Sequence, residues 1–306
     1  MTEIGLKIDK TLRYYLSKGI IKGRDLRWKL SPQIAESPVF ILGCSRAGTT
    51  LVYKTFSASP QLGSIQKETH DLWASLHPLE QRDWKSHVLL KEDASDRDRA
   101  FISRFFYGQT GTLNFVDKNN QNGLCLSYLL ALFPAARFVY VKRSPGDNIN
   151  SLIEGWRKAD EFATWSNSLP VDVNVENGEF KRWCFFLPEG WKNYLSSSVE
   201  EVCAFQYQAM NDMILAGRDM VPEKQWVEIC YEDLLNDPVR GFQAAFEAID
   251  LEFGETLEKH CQTVLSRPYN AFSEIRLNKW KDGRNADKVA RVLSLVENTA
   301  LKMGYK

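Results

Sequence analysis

The sequence lacks a charge bias: 39 Lys and Arg balance 39 Asp and Glu. A chain built to lie along nucleic acid or an anionic membrane ordinarily carries an excess of cations, so no nucleic-acid partner is expected and any anion site has to be a local cluster. Paired cysteines are missing too. Cys44, Cys125, Cys184, Cys203, Cys230 and Cys261 are scattered, with no CxxC pair and no Cys/His zinc spacing. That pattern argues against a disulfide framework and against a metal site, and for buried reduced thiols. No apolar run approaches the ~20 residues of a membrane span. The opening MTEIGLKIDK has no signal-peptide core, so the expected location is cytoplasmic. What remains is 306 residues, 44% of them hydrophobic, enough for one large core. A single domain over residues 1–306 is the expected organisation.

Residues 1–36 are expected to form an N-terminal helical extension. Leu6, Ile8, Leu12, Tyr15, Leu16, Ile20 and Leu26 recur at roughly helical spacing among many Lys and Arg. Packing on the domain is the favoured role for this helix, with peripheral membrane contact through its basic side as the alternative. Val39-Phe40-Ile41-Leu42 is a short apolar run ending at a glycine, the pattern of a buried parallel strand, and Thr49–Ser57 opens a helix behind it. Phe138–Val141 repeats the pattern, between helical stretches at Leu124–Phe133 and Asp147–Trp156. Trp226–Cys230 repeats it again, ahead of Tyr231–Leu235. Strands alternating with helices predict an α/β fold: a P-loop-like, doubly wound parallel sheet flanked by helices, with its site at the C-terminal strand ends. Residues 155–200 are irregular and aromatic, the profile of an insertion or lid.

The segment Gly43-Cys44-Ser45-Arg46-Ala47-Gly48-Thr49-Thr50 joins the first strand to its helix. Backbone N–H groups in such a loop, together with a helix N-terminus, make a nest for anionic oxygens. The spacing approaches GxxxxGK[ST], but Thr49 stands where a nucleotide triphosphatase needs lysine. The second strand ends in Lys142-Arg143 where a magnesium-binding aspartate would be required. The cation has moved into the loop, at Arg46, which suits a phosphate-type group bound without metal. A ligand-free strand-to-helix turn is the competing reading of the loop taken alone.

Ser45-Arg46-Ala47-Gly48-Thr49-Thr50-Leu51 resembles the 5′-phosphosulfate loop of sulfotransferases that use 3′-phosphoadenosine 5′-phosphosulfate (PAPS), departing from that pattern at Ala47, where serine is usual. Arg143 at a strand end and Ser151 eight residues on, in VKRSPGDNINSL, resemble the same family's 3′-phosphate site. Two further matches are similar to its tyrosylprotein and carbohydrate branches. Glu68, in Lys67-Glu68-Thr69, stands where those enzymes keep a general base, and Lys118, in Phe115-Val116-Asp117-Lys118, stands where they keep a lysine beside the transferring group. Tyr231 and Lys279 resemble positions that line the nucleotide. The resemblance covers roughly residues 38–75, 115–155, 226–250 and 272–285.

The resemblance implies a bacterial-like soluble transferase that binds PAPS, releases PAP, and takes a hydroxyl acceptor such as a carbohydrate, glycolipid, alcohol or phenol. Arg46 and Lys118 are then expected to stabilise the departing phosphate, with Glu68 as base and His70, two residues along the same segment, as its rival. The acceptor walls are sought among the aromatics of 155–195 (Trp156, Trp165, Trp183, Phe185, Phe186, Trp191, Tyr194) and in Trp73, His77 and Trp84. A satellite core is the other role open to the 155–195 rings. Two alternatives to this enzyme are a non-catalytic PAP-binding or scaffolding protein on the same fold and a P-loop kinase.

Overall fold

A computed structural model of the protein describes residues 3–266 and 275–306, with side chains from Tyr15 onward. At its centre lie four parallel strands, β1 (Val39–Leu42), β2 (Val116–Lys118), β3 (Arg137–Lys142) and β4 (Trp226–Cys230), in the order β2-β1-β3-β4. Alternation along each strand sends side chains to opposite faces. Phe40, Leu42, Phe138, Tyr140 and Trp226 belong to the larger core. Val39, Ile41, Val139, Val141 and Ile229 belong to the smaller one. Both faces of β1 are therefore covered, which is why it reads as an unbroken apolar run. This is the doubly wound α/β sheet expected from the sequence.

The helices that matter for the site are α1 (Glu3–Leu30), α2 (Thr49–Phe56), α3 (His70–Leu76), α4 (Asp96–Thr110), α5 (Leu126–Leu132) and α6 (Pro145–Trp156). The chain leaves β1 toward β2 on one side and returns to β3 on the other, so β1 and β3 are neighbours, with Leu42 in register with Tyr140. Where the connections of neighbouring parallel strands lead off in opposite directions, a crevice opens at their C-terminal ends. Gly43 lets the two chains pass: its φ is +144°, and a Cβ there would meet the Val141 carbonyl oxygen at 2.7 Å. The loops carrying Arg46 and Arg143 consequently emerge side by side.

The structure adds to the sequence reading at three points. Val116–Lys118 is a strand, although two of its three residues are polar. The stretch 124–133 starts as a tight 3₁₀ turn (Asn122–Cys125) before α5. Among the described apolar side chains of α1, Tyr15, Leu16, Ile20 and Leu26 are more than half exposed, whereas Ile21 faces Gly108 of α4. Polar contacts also hold it to α4, Asp25 accepting from Arg104 Nε at 2.5 Å and Arg24 donating to the Gln109 carbonyl at 3.0 Å. Leu6, Ile8 and Leu12 lie outside the described side chains, and residues 272–274 of the last matched stretch lie outside the described residues.

Five of the six cysteines are buried, Cys230 is half-buried, and all are free thiols. Among the described residues no helix is long and apolar enough to cross a membrane, and no group of three His, Cys, Asp or Glu is arranged to hold a metal ion.

Candidate active site

The loop after β1 turns sharply. Arg46 adopts φ +69°, the left-handed region that non-glycine residues seldom occupy, and Gly48 follows at φ +99°. Successive turns of this kind gather backbone N–H groups around one point. Gly48 caps α2, whose first-turn N–H groups, Thr49 and Thr50 among them, have no acceptor within the helix. A Cβ on Gly48 would meet the Tyr231 ring at 2.3 Å, so that ring lies flush on the loop and any side chain there would displace it.

The loop after β3 braces the first. Arg143 Nη1 donates to the Arg46 carbonyl at 2.8 Å, and Asn148 Nδ2, from α6, donates to the Ser45 carbonyl at 2.9 Å. The Arg143 guanidinium stacks over Tyr231, 4.6 Å from the ring centre, and its Nε is buried without a hydrogen-bond partner. Arg46 Nε reaches the Ser151 hydroxyl at 3.4 Å, so the two expected phosphate contacts are neighbours in space. Burial and the nearby Arg143 charge hold the Arg46 guanidinium down to about 10. Two positive groups kept this close out of water are an arrangement that an anion relieves.

A third piece comes from the far side of β1. Lys118 ends β2, and Glu68 precedes α3. Lys118 Nζ donates to Glu68 Oε1, and His70 Nε2 lies 2.7 Å from Glu68 Oε2. Burial pushes the Glu68 carboxyl up, but the Lys118 charge and the His70 hydrogen bond outweigh it and hold the group well below the usual carboxylate range.

All three pieces face one cleft of about 390 Å³. Every expected site residue except Ala47, which is buried, lines it: Ser45, Arg46, Gly48, Thr49, Thr50 and Ser151 at one part of the wall, Glu68, His70 and Lys118 at another, Arg143, Tyr231 and Lys279 at a third. Burial and the nearby Arg143 lower the Lys279 ammonium. The acids that share the cleft have partners. Asp147 accepts from the Asn278 N–H at 2.7 Å, and Glu154 from Asn285 at 2.7 Å and from Arg157.

Several contributors carry no signal in the sequence pattern. Asp147 pins residues 278–280 to α6, and Glu232 accepts the Ser144 N–H at 2.9 Å, fixing the turn after Arg143. Phe162 places its ring 5.3 Å from the Arg46 guanidinium, and Asn120 lines the cleft beside Lys118. Of the aromatic residues in 155–195, Trp156, Trp183, Phe186 and Trp191 are fully buried in the main core, while Trp165 and Phe185 reach the cleft. Trp73, His77 and Trp84 border a second cavity next to it.

Residues 38–184 match the Sulfotransferase family profile. No curated protein matches the chain in sequence. Among solved structures it is similar to sulfotransferase STF9 from Mycobacterium avium, at 14% identity and TM-score 0.53, with 90% of this chain and 81% of that one covered. It is also similar to the sulfotransferase domain from the curacin biosynthetic pathway, at 13% identity and TM-score 0.52, covering 90% of this chain and 99% of that domain. At such identities the likeness is one of fold.

Proposed function

Over residues 38–184 the chain belongs to the sulfotransferase family, and we propose that it moves a sulfuryl group from PAPS to an acceptor hydroxyl. The observation that carries this reading is the single cleft in which the Arg46 loop, the Arg143–Ser151 pair and the Glu68–Lys118 pair meet. PAPS has anions at two ends, and the cleft has two cationic anchors joined through the Arg143 to Arg46 contact. The Arg143 Nε without a partner fits a 3′-phosphate, because guanidinium forks donate in parallel to such oxygens.

In this scheme the acceptor oxygen attacks sulfur in line. The bond from sulfur to the 5′-phosphate oxygen breaks, and PAP leaves carrying the electron pair. Arg46, Lys118 and the N–H groups of Gly48, Thr49 and Thr50 stabilise that growing charge, as in phosphoryl transfer. The acceptor proton passes to Glu68. While paired with Lys118, Glu68 is too weakly basic for the task. Attraction of Lys118 to the sulfonate frees one carboxylate oxygen and restores its basicity. His70, bound to the other oxygen, orients the carboxylate. A base of this kind supplies about a hundredfold to ten-thousandfold.

The test is transfer of radiolabelled sulfate from PAPS to a panel of glycans, phenols, lipids and tyrosine peptides. Labelled product from any acceptor supports the reading. PAP binding without transfer to any of them would favour a nucleotide-binding scaffold.

A further inference from the structure

A second cavity of about 270 Å³ adjoins the cleft, and His70 and Trp165 line both. We propose that it holds the body of the acceptor: a compact, uncharged aromatic or alicyclic alcohol whose hydroxyl lies at His70 and Glu68, and whose far end bears a neutral hydrogen-bond-accepting oxygen such as a carbonyl. The identity of the reacting hydroxyl rests on the sulfuryl-transfer reading; the ligand class that the cavity binds does not.

The walls set the class. Trp73, Trp84, Trp165, Leu79, Leu89 and Leu129 give the cavity flat apolar surfaces suited to a ring. Its volume lies just under the roughly 300–1,000 Å³ of drug-sized pockets, which limits the ligand to one or two rings. A glycan stacks one face of its ring on a tryptophan, but its remaining hydroxyls would be stranded against Leu79, Leu89 and Leu129.

Asp71, Glu80 and Arg82 also line the cavity, the Arg82 guanidinium donating to the Ser86 and Val88 carbonyls, and two buried neutral donors set the far-end group. His87 Nδ1 accepts the Leu187 N–H at 2.8 Å, which leaves the ring proton on Nε2 as the donor this residue offers the cavity. Burial holds this imidazole down to about 3, so it stays neutral, and a neutral donor does not call for an anion. Asn119 also lines the cavity. Its Oδ1 accepts the Gln121 N–H at 2.9 Å, which assigns the amide, and its Nδ2 is buried with no partner. Buried donors left unmatched are costly, so a ligand oxygen that meets them is favoured. His77 Nε2 is engaged elsewhere, with Asp98 and Tyr128.

Ala74 provides a probe that leaves the core alone, since it is an exposed position of α3 on the cavity wall. Sulfation by the full chain is measured with para-hydroxyacetophenone, para-ethylphenol, N-acetylglucosamine and an acidic tyrosine peptide. In parallel, calorimetry follows binding of para-hydroxyacetophenone with no nucleotide present, and of PAP alone. The expected order of kcat/KM places para-hydroxyacetophenone above para-ethylphenol by about three- to tenfold, one neutral hydrogen bond's worth, with the sugar and the peptide below both. Ala74→Trp should raise KM for para-hydroxyacetophenone by about tenfold or more by filling the entrance, and weaken its direct binding equally, with PAP affinity unchanged. Preference for the sugar or the peptide, or an Ala74→Trp protein with unaltered KM and binding, overturns the proposal. Ketone binding that Ala74→Trp abolishes in a protein that ignores PAP would uphold the cavity's ligand class and reject the donor reading.

Discussion

The Thr69 hydroxyl donates to Asp117 Oδ1 at 2.6 Å, and these two residues are the chain neighbours of Glu68 and Lys118. Asp117 is 1% exposed and also accepts from Trp73 Nε1 and Asn122 Nδ2, each at 3.2 Å. Burial raises its carboxyl, and the three donors oppose that rise. The bond ties the segment before α3 to β2, and so fixes where the Glu68 carboxylate meets the Lys118 ammonium. Asp117→Asn turns an amide N–H₂ toward donors and should cost about 1–3 kcal/mol of stability. Turnover should fall while PAP affinity holds, which chemical denaturation and single-turnover rates would check.

Glu68→Gln keeps the shape of the side chain but cannot accept a proton as a base. Turnover should drop at least tenfold, by the lower bound of base catalysis, with PAP affinity little altered. Single-turnover transfer from PAPS is the measurement. A fully active Glu68→Gln protein would move the base to His70.

Gly48→Ala is a one-carbon change with two penalties. The backbone at φ +99° disfavours any side chain, and the new Cβ would sit 2.3 Å from the Tyr231 ring. Stability should fall by about 1–3 kcal/mol, and PAP binding should weaken as Tyr231 is pushed off the loop. Thermal melts with and without PAP would separate the two effects.

Acid should destabilise the protein through His87. Its folded value, about 3, lies below the 6.5 of an unperturbed imidazole. The unfolded chain therefore takes up a proton between these limits that the folded chain refuses. Stability is full above pH 6.5 and is lost as pH falls toward 3, by about 2 kcal/mol between pH 7 and 5 for this group. His87→Asn offers Leu187 another acceptor and does not titrate, so its denaturation midpoints should depend less on pH over that range.

The β1 loop and Arg143–Ser151 were legible because each is a local pattern in which a strand end, a turn and a helix start are consecutive in sequence. The parallel, doubly wound character of the sheet followed from the alternation of strands and helices, but not its strand order. β2 was not legible, because a strand of Val116, Asp117 and Lys118 has no apolar run, and burial of its charges depends on Thr69, Trp73, Asn122 and Glu68, all from other elements. The helical spacing in α1 did not show which residues meet α4: Arg24 and Asp25 make polar contacts there, and Ile21 faces Gly108. The role of the tryptophans in 155–195 was equally hidden, since composition does not distinguish Trp183, wholly buried, from Trp165, which faces the cleft.

The proposed donor site requires one nucleotide to span from the Arg46 loop to Arg143 and Ser151. Calorimetric titration with PAP and with 5′-AMP, on the wild type and on Arg143→Ala, tests it most directly. The wild type should bind PAP at least tenfold tighter than 5′-AMP, and Arg143→Ala should lose most of that difference, as charged hydrogen bonds worth about 1.5–3 kcal/mol each require. Equal affinity for the two nucleotides, or an Arg143→Ala protein that still prefers PAP to the same degree, would contradict it.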